Sequence, residues 1–143
     1  MPSHPWKTQG ATVADLSGIK VLVVDDDEDS RDLVRRVLEE CHAQVWTAAS
    51  AAEAVRLVEQ ERPCVLVSDI GMPLADGYDL LKQVRMLGEA RGGNVSAVAL
   101  TAFARSEDRT RALRAGFLNH VSKPVEPSEL IASVASAAGR RID

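Results

Sequence analysis

Aromatic residues are scarce in this chain. Two phenylalanines, two tryptophans and one tyrosine make up 3% of its 143 residues. So few rings exclude the aromatic cluster that would stack on a flavin, and the sequence contains neither a GxGxxG turn nor a P-loop. A nucleotide-binding α/β module is therefore disfavoured.

Cysteines and long hydrophobic runs are scarce as well. Cys41 and Cys64 are the two cysteines, and they form neither a CxxC nor a histidine-bearing metal motif. Because apolar residues flank each of them, we expect two buried free thiols in a reducing cytoplasm. No apolar stretch approaches the roughly 20 residues that a membrane-spanning helix needs, and the N-terminus lacks the apolar core of a secretion signal. We therefore expect no membrane contact by this chain.

Positive charge is not in excess. Seventeen lysines and arginines face 21 aspartates and glutamates, so the net charge is −4. This balance gives no broad attraction to a phosphate backbone, and we expect no direct contact with nucleic acid. The length and the 45% hydrophobic content fit one domain. We predict a polar tail or linker over 1–18, one domain over 19–139 and a short C-terminal tail over 140–143.

Short apolar runs alternate with amphipathic helical stripes, which gives five βα units. The predicted strands are Ile19–Val24, Gln44–Ala48, Cys64–Ser68, Val95–Leu100 and Leu118–Ser122. Strands that are apolar throughout indicate a parallel sheet covered by helices on both faces, as in an α/β fold. The fourth helix, predicted over Ser106–Ala115, carries several arginines and few apolar residues, so much of its surface should be exposed.

Polar side chains stand at the ends of four of these strands. They are Asp25 and Asp26, Asp69, Thr101, and Lys123. The carboxyl ends of parallel strands meet at one edge of a sheet, where ligands bind. Two carboxylates about 4 Å apart repel by roughly 4 kcal/mol at an effective dielectric of 20, so the three aspartates require a cation, and their hard oxygens favour Mg²⁺. With Lys123 neutralising an incoming phosphoryl group, Asp69 becomes a candidate phosphoryl acceptor.

Together these motifs resemble the receiver domain of two-component response regulators, over roughly Ile19 to Ala138. Met72-Pro73, Asp76-Gly77-Tyr78 and Lys123-Pro124 match the same family's loops. The resemblance implies a flavodoxin-like (βα)5 fold whose five parallel strands have the order 2-1-3-4-5. It assigns Asp25, Asp26, Asp69 and the backbone carbonyl of Gly71 to Mg²⁺, Asp69 to the phosphoacceptor, Thr101 to the switch hydroxyl and Lys123 to the phosphate contact.

Three positions would tune this site. His120 lies where the family commonly has tyrosine or phenylalanine as a rotating switch, and the ordinary titration of histidine near pH 6.5 would make partner binding sensitive to pH. A half-buried strand histidine with no such role is the alternative. Gly71 and Phe103 occupy positions that influence the access of the hydrolytic water. We expect Phe103 to shield the phosphoryl group and Gly71 to leave a gap.

The resemblance also implies a function. The chain would accept a phosphoryl group from the phosphohistidine of a histidine kinase phosphotransfer domain, as one step of a phosphorelay. It would not be an enzyme, although it would assist its own phosphorylation and dephosphorylation. The surface of the fourth helix, fifth strand and fifth helix would then contact a downstream protein. Several short sequence motifs most resemble those of receivers in hybrid sensor histidine kinases. A stand-alone regulator is the alternative.

Other interpretations of the same residues stay open at this point. The run from Val21 to Asp27 also resembles the hhhhDxD start of haloacid-dehalogenase-type phosphatases, in which the first aspartate is the nucleophile. That interpretation leaves Asp69 without a role. Asp27, with Glu28 and Asp29, is better explained by capping of a helix N-terminus. Thr101 alone would be an ordinary strand-end hydroxyl.

Overall fold

The computed structural model describes residues 15–71, 76–102 and 106–139, with only the backbone described for 106–108. Five strands alternate with five α-helices over this part of the chain. The strands are β1 (Lys20–Val24), β2 (Gln44–Ala48), β3 (Val65–Asp69), β4 (Ser96–Thr101) and β5 (Asn119–Ser122). The helices are α1 (Glu28–Glu40), α2 (Ala51–Glu61), α3 (Gly77–Met86), α4 (Ser106–Ala115) and α5 (Pro127–Ala137), and a short 3-10 helix at Glu89–Arg91 precedes β4.

The five strands form one parallel sheet in the order β2-β1-β3-β4-β5. Helices cover both faces. In β1, Val21 and Val23 pack in the core shared with α1 and α5, whereas Leu22 and Val24 pack in the core shared with α2 and α3. Both sides of the strand are therefore buried, which explains its uninterrupted apolar run. The predicted fold class and strand order are confirmed.

The strand bounds differ from the predictions by one residue in several places. β3 ends at Asp69 and β4 at Thr101, so two polar residues predicted to follow strands are the last residues of those strands. The reason is pairing across the sheet, since Asp69 lies opposite Leu100 and Thr101 opposite Ser122. The bounds of β2 and α4 match their predictions.

The two cysteines differ in exposure. Cys41 is buried, but Cys64 is exposed, so the prediction of two buried thiols is wrong for Cys64. β3 begins at Val65, and Cys64 belongs to the connection that precedes it. Its N–H still donates to the carbonyl of Lys20 at 2.8 Å, which anchors the backbone while leaving the side chain outside the core.

Packing begins at Leu16, ahead of β1 and within the stretch predicted to be a tail. Leu16 is fully buried in the core under α1, and its N–H donates to the carbonyl of Cys41 at 2.7 Å. Among the helices described, none has the length and apolar character needed to cross a membrane.

The start of α3 brings a helix against the backbone of β3. Asp76 caps α3 and forms a reciprocal capping box with Asp79. The next residue, Gly77, is buried, and a Cβ added to it would lie 2.7 Å from the Cα of Ile70 and 2.8 Å from the carbonyl oxygen of Asp69. Only glycine permits this approach, because those neighbours are backbone atoms that cannot rotate away.

We predict that Gly77→Ala destabilises the protein by about 1 to 3 kcal/mol, the usual range for overpacking. Chemical denaturation with urea measures the change. Gly71→Ala is the matched control, because among the described residues its Cβ would meet only Asp69 Oδ1 at 3.7 Å, an ordinary contact. Equal stability of the Gly77→Ala and Gly71→Ala variants would contradict the prediction.

Candidate functional site

Three aspartates converge at the carboxyl edge of the sheet. Asp25 and Asp26 follow β1, and Asp69 ends the neighbouring β3. One carboxylate oxygen from each lies within 4.8 Å of the others. Asp25 and Asp69 are buried, whereas Asp26 is exposed. The structure thus places together the three carboxylates that the strand-end pattern predicted.

Lys123 brings a positive charge into this cluster. It follows β5, and its peptide bond to Pro124 is cis. Its Nζ donates to Asp25 Oδ2 at 3.0 Å and lies 3.4 Å from Asp69 Oδ2. The Lys123 side chain is 23% exposed, so the ammonium borders both the buried carboxylates and solvent. Among the residues that the structure describes, the three carboxylates outnumber the one ammonium in contact with the cluster, which keeps an excess of negative charge.

The pKa shifts follow from this arrangement. Burial raises the pKa of Asp25, and the charge of Asp69 adds to that effect, although bonds from the Asp27 N–H and Lys123 oppose it. Burial by itself lowers the pKa of Lys123, but the hydrogen bond to Asp25 and the charges of Asp25 and Asp69 outweigh it, so the pKa is raised. Ionisation of Asp25 is thus less favourable than ionisation of an ordinary aspartate. An additional cation near Asp25 would favour its ionised form.

The acceptor candidate Asp69 is oriented by the backbone that follows it. The N–H of Gly71 donates to Asp69 Oδ1 at 3.1 Å, while Oδ2 faces Lys123. One oxygen is therefore held by a neutral donor and the other by a cation. Gly71 itself is exposed, and no side chain there covers the carboxylate.

Thr101 ends β4, the strand beside β3. Its side chain is buried, and within the described part of the chain its Oγ1 has no hydrogen-bond partner. Its main-chain carbonyl accepts from the N–H of Lys123 at 2.7 Å, which joins the ends of β4 and β5. A buried hydroxyl without a partner costs about 1 to 3 kcal/mol, so Thr101 would gain from an acceptor brought into the site.

The remaining predicted residues are placed differently. His120 is half-buried in β5, opposite Ala99 of β4. Phe103 lies outside the described residues, as do Met72 and Pro73. Asp27 caps α1 by accepting from the N–H of Asp29 at 3.1 Å, as its capping interpretation predicted.

Two contacts to the site were not anticipated from the sequence. Arg31, on the first turns of α1, donates from Nη1 to the main-chain carbonyl of Asp25 at 2.9 Å. The buried hydroxyl of Ser68 donates to the main-chain carbonyl of Asp69 at 3.0 Å. An arginine six residues after Asp25, near the start of the following helix, is the signal that could have indicated the first contact. Both contacts fix backbone from which site residues project.

A comparison with protein families identifies the domain. The model of the response regulator receiver domain matches residues 21–135. This chain belongs to that family. Receiver domains are the phosphoacceptors of two-component systems and bind Mg²⁺ at an acidic pocket; an acidic cluster is present here at Asp25, Asp26 and Asp69.

Relatives of this receiver occur alone and in longer proteins. An uncharacterised 14.6 kDa protein of Leptolyngbya boryana is 51% identical over 116 residues, which are 81% of this chain and 87% of that protein. The transcriptional regulatory protein PrrA of Mycobacterium tuberculosis is 36% identical over 122 residues, 85% of this chain and 51% of PrrA. The response regulator Rre1 of Synechocystis is also 36% identical, and the match covers 86% of this chain and 53% of Rre1. The chain thus spans about half the length of these two regulators.

Solved structures give the same assignment. The receiver domain of the Francisella response regulator 1452 superposes with a TM-score of 0.77 at 30% identity, covering 85% of this chain and 98% of that one. The receiver domain of sensor histidine kinase PA1611 from Pseudomonas aeruginosa PAO1 gives 0.76 at 28% identity, covering 86% and 99%. That structure has a magnesium ion coordinated in its active-site cleft.

The raised pKa of Asp25 makes the stability of the metal-free receiver depend on pH. A group whose pKa is raised by folding stabilises the folded state below its unfolded pKa, and this contribution is lost as pH rises through the folded pKa. The raised pKa of Lys123 also stabilises the folded state at lower pH. Its contribution is lost only at alkaline pH, because the ordinary pKa of lysine is much higher than that of aspartate. A comparison with a variant that lacks the Asp25 carboxyl therefore isolates the Asp25 contribution to stability between pH 4 and 8.

We predict that Asp25→Asn becomes progressively more stable relative to the unsubstituted receiver as pH rises from 4 to 8. Asparagine keeps the shape of the side chain but never acquires the buried charge. Urea unfolding of both proteins in a chelator-containing buffer measures the difference at each pH. A stability difference that stays constant across the range would contradict the assignment of the shift to Asp25.

Proposed function

We propose that this receiver accepts a phosphoryl group on Asp69 from the phosphohistidine of a histidine kinase phosphotransfer domain. The observation that supports it is the placement of Asp69 between the Gly71 N–H and the Lys123 ammonium, beside two further carboxylates. An Asp69 carboxylate oxygen attacks phosphorus, the O–P bond forms, and the N–P bond to the histidine breaks. No separate base is needed, because a carboxylate nucleophile, unlike a hydroxyl, has no proton to lose in the attack.

The donor set fits Mg²⁺, which we propose is held by Asp25, Asp26, Asp69 and the backbone carbonyl of Gly71. Three oxygens within 4.8 Å of one another and a raised pKa at Asp25 both indicate an unmet need for positive charge. When bound, the ion would neutralise charge on the transferring phosphoryl oxygens. Lys123, which follows β5 at the same edge of the sheet, would do the same, and Arg31 holds the backbone of Asp25 in place.

Phosphorylation of Asp69 would add about 0.5 to 1 negative charge net, since a phosphoryl group brings about −1.5 to −2 and the carboxylate loses −1. The unpartnered hydroxyl of Thr101 would then hydrogen-bond a phosphoryl oxygen. We propose that this movement lets His120 turn and repacks the surface of α4, β5 and α5, to which a downstream protein binds. Shielding of the phosphoryl group by Phe103 and the gap at Gly71 remain predictions.

The parent protein has two candidate forms. Short sequence motifs favour the receiver of a hybrid sensor histidine kinase, and the similarity to the PA1611 receiver supports that proposal. A stand-alone regulator is supported by the Leptolyngbya relative, which is itself a 14.6 kDa protein covered over 87% of its length. Location in the cytoplasm remains a prediction from composition. The phosphatase alternative requires Asp25 as nucleophile, yet Asp25 is fully buried and hydrogen-bonded to Lys123.

We predict a single phosphoryl adduct when the receiver is incubated with Mg²⁺ and acetyl phosphate. Intact-mass spectrometry detects the adduct, which should be base-labile as an acyl phosphate. Asp69→Ala should abolish it, and a chelator should suppress it strongly. Asp32→Ala, on the surface of α1, is the control that should still be labelled. Labelling that survives Asp69→Ala and instead requires Asp25 would refute the proposal.

We predict that Thr101→Val preserves labelling of Asp69 but removes the conformational response. The substitution keeps the shape and removes a buried hydroxyl that lacks a partner, so the unphosphorylated protein should be as stable as before or up to about 2 kcal/mol more stable. Amide NMR spectra with and without acetyl phosphate measure the response at α4 and β5. A clear loss of stability, or an undiminished response, would show that Thr101 is not the switch.

A further inference from the structure

A groove of about 540 Å³ separates α3 from the end of α4. Its lining consists of Tyr78, Asp79, Lys82, Arg85, Met86 and Ala115; we call it the α3–α4 groove. Its described lining belongs to α3 and α4 and differs from the residues of the phosphorylation site, and its volume lies within the size range of pockets that take ligand groups.

Positive charge dominates this groove. Lys82 and Arg85 belong to its lining, and the Arg111 guanidinium lies over the Tyr78 ring, 4.2 Å from the ring centroid. The acidic side chain in the described lining is Asp79, whose carboxylate accepts from the N–H of Asp76 at 3.2 Å in the α3 capping box. In a chain of net charge −4, three cations around one groove indicate an acidic occupant.

The groove also has an apolar part, formed by Met86 and Ala115. Met86 is 78% exposed, although it is among the more hydrophobic residues of the chain. Beside it Ala115 is small, which leaves room for an incoming backbone. Methionine is a flexible side chain common at surfaces that accept helices. The occupant should therefore carry apolar groups between its acidic ones.

Spacing distinguishes a helix from a compact anion. At one end of the groove the Arg111 guanidinium of α4 lies over Tyr78. Arg85 lines the groove seven residues after Tyr78 on α3. At 1.5 Å per residue the backbone positions of Tyr78 and Arg85 are about 10 Å apart along α3, a length that favours an elongated partner over a single compact anion. Residues i and i+7 of a second helix lie on one face at this same separation.

The walls of the groove are already ordered. The Tyr78 ring packs edge-on against the buried Phe117, with centroids 6.1 Å apart and an interplanar angle of 80°. Arg85 donates from Nη1 to the carbonyls of Gly93 and Val95 at 2.9 and 2.7 Å. Groups that are held in place before binding lose little conformational entropy when a partner arrives.

We propose that the α3–α4 groove binds an acidic amphipathic helix of a partner protein. Two carboxylates separated by two turns contact the cations at the Arg111 and Arg85 ends, and apolar residues on the same face of that helix cover Met86, which adjoins Arg85. This interaction does not require phosphorylation of Asp69, so it is testable on the unphosphorylated receiver even if the proposed phosphoacceptor role fails.

The probe is a synthetic helical peptide with glutamates at positions i and i+7 and leucines at i+3 and i+4. A second peptide has lysines in place of the glutamates. The receiver is labelled at its methionine methyl groups, of which the chain has three, and Met86→Leu assigns the Met86 signal. The acidic peptide should shift that signal to saturation, and the lysine peptide should not.

Substitutions then locate the contact. Lys82→Glu and Arg111→Glu should each weaken binding of the acidic peptide at least tenfold, whereas Arg36→Glu, an exposed position on α1 in the opposite layer, should leave it unchanged. Both groove positions are exposed, so the variants should fold, and urea unfolding checks this.

Four results would overturn the proposal. They are an unshifted Met86 signal, equal shifts with both peptides, an equal loss of binding in Arg36→Glu, and a shift caused by phosphatidylglycerol vesicles but not by the acidic peptide. The last result would assign the groove to an anionic membrane surface.

Discussion

The contact of Lys123 with Asp25 and Asp69 is the interaction on which the site depends. Lys123 follows β5, Asp25 follows β1 and Asp69 ends β3, so the ammonium joins three strands across most of the sheet's width. The apolar core of the sheet holds these charges together although their mutual repulsion opposes it. The mutual repulsion of the carboxylates lowers the stability of the folded protein, and the same repulsion favours the binding of a charged ligand.

The backbone around the site is fixed by groups that have no chemical role. Arg31 holds the carbonyl of Asp25, Ser68 holds the carbonyl of Asp69, and Gly77 lets α3 lie against Asp69 and Ile70. Positions of reacting groups in phosphoryl transfer must be accurate because positioning supplies much of the rate. These supporting contacts are therefore part of what makes three carboxylates a site.

Much of this architecture was predictable, for physical reasons. A strand buried on both faces must be apolar throughout, so β1 and β3 were visible as runs, and β2 and α4 were bounded correctly. Strand ends were less predictable, because Asp69 belongs to β3 through its pairing with Leu100, a residue distant in sequence. The same one-residue shift placed Cys64 outside the core. Contacts such as that of Arg31 with a carbonyl depend on side-chain reach and carry no periodic signal.

Asp25 and Lys123 are 98 residues apart in the chain, yet they form one ion pair. During synthesis, the N-terminal strands emerge with their aspartates well before the last strand supplies the lysine. Until β5 docks, the acidic cluster lacks its resident cation and one edge of its sheet. The complete cluster, three carboxylates together with their lysine, therefore exists only after the last strand has joined the sheet.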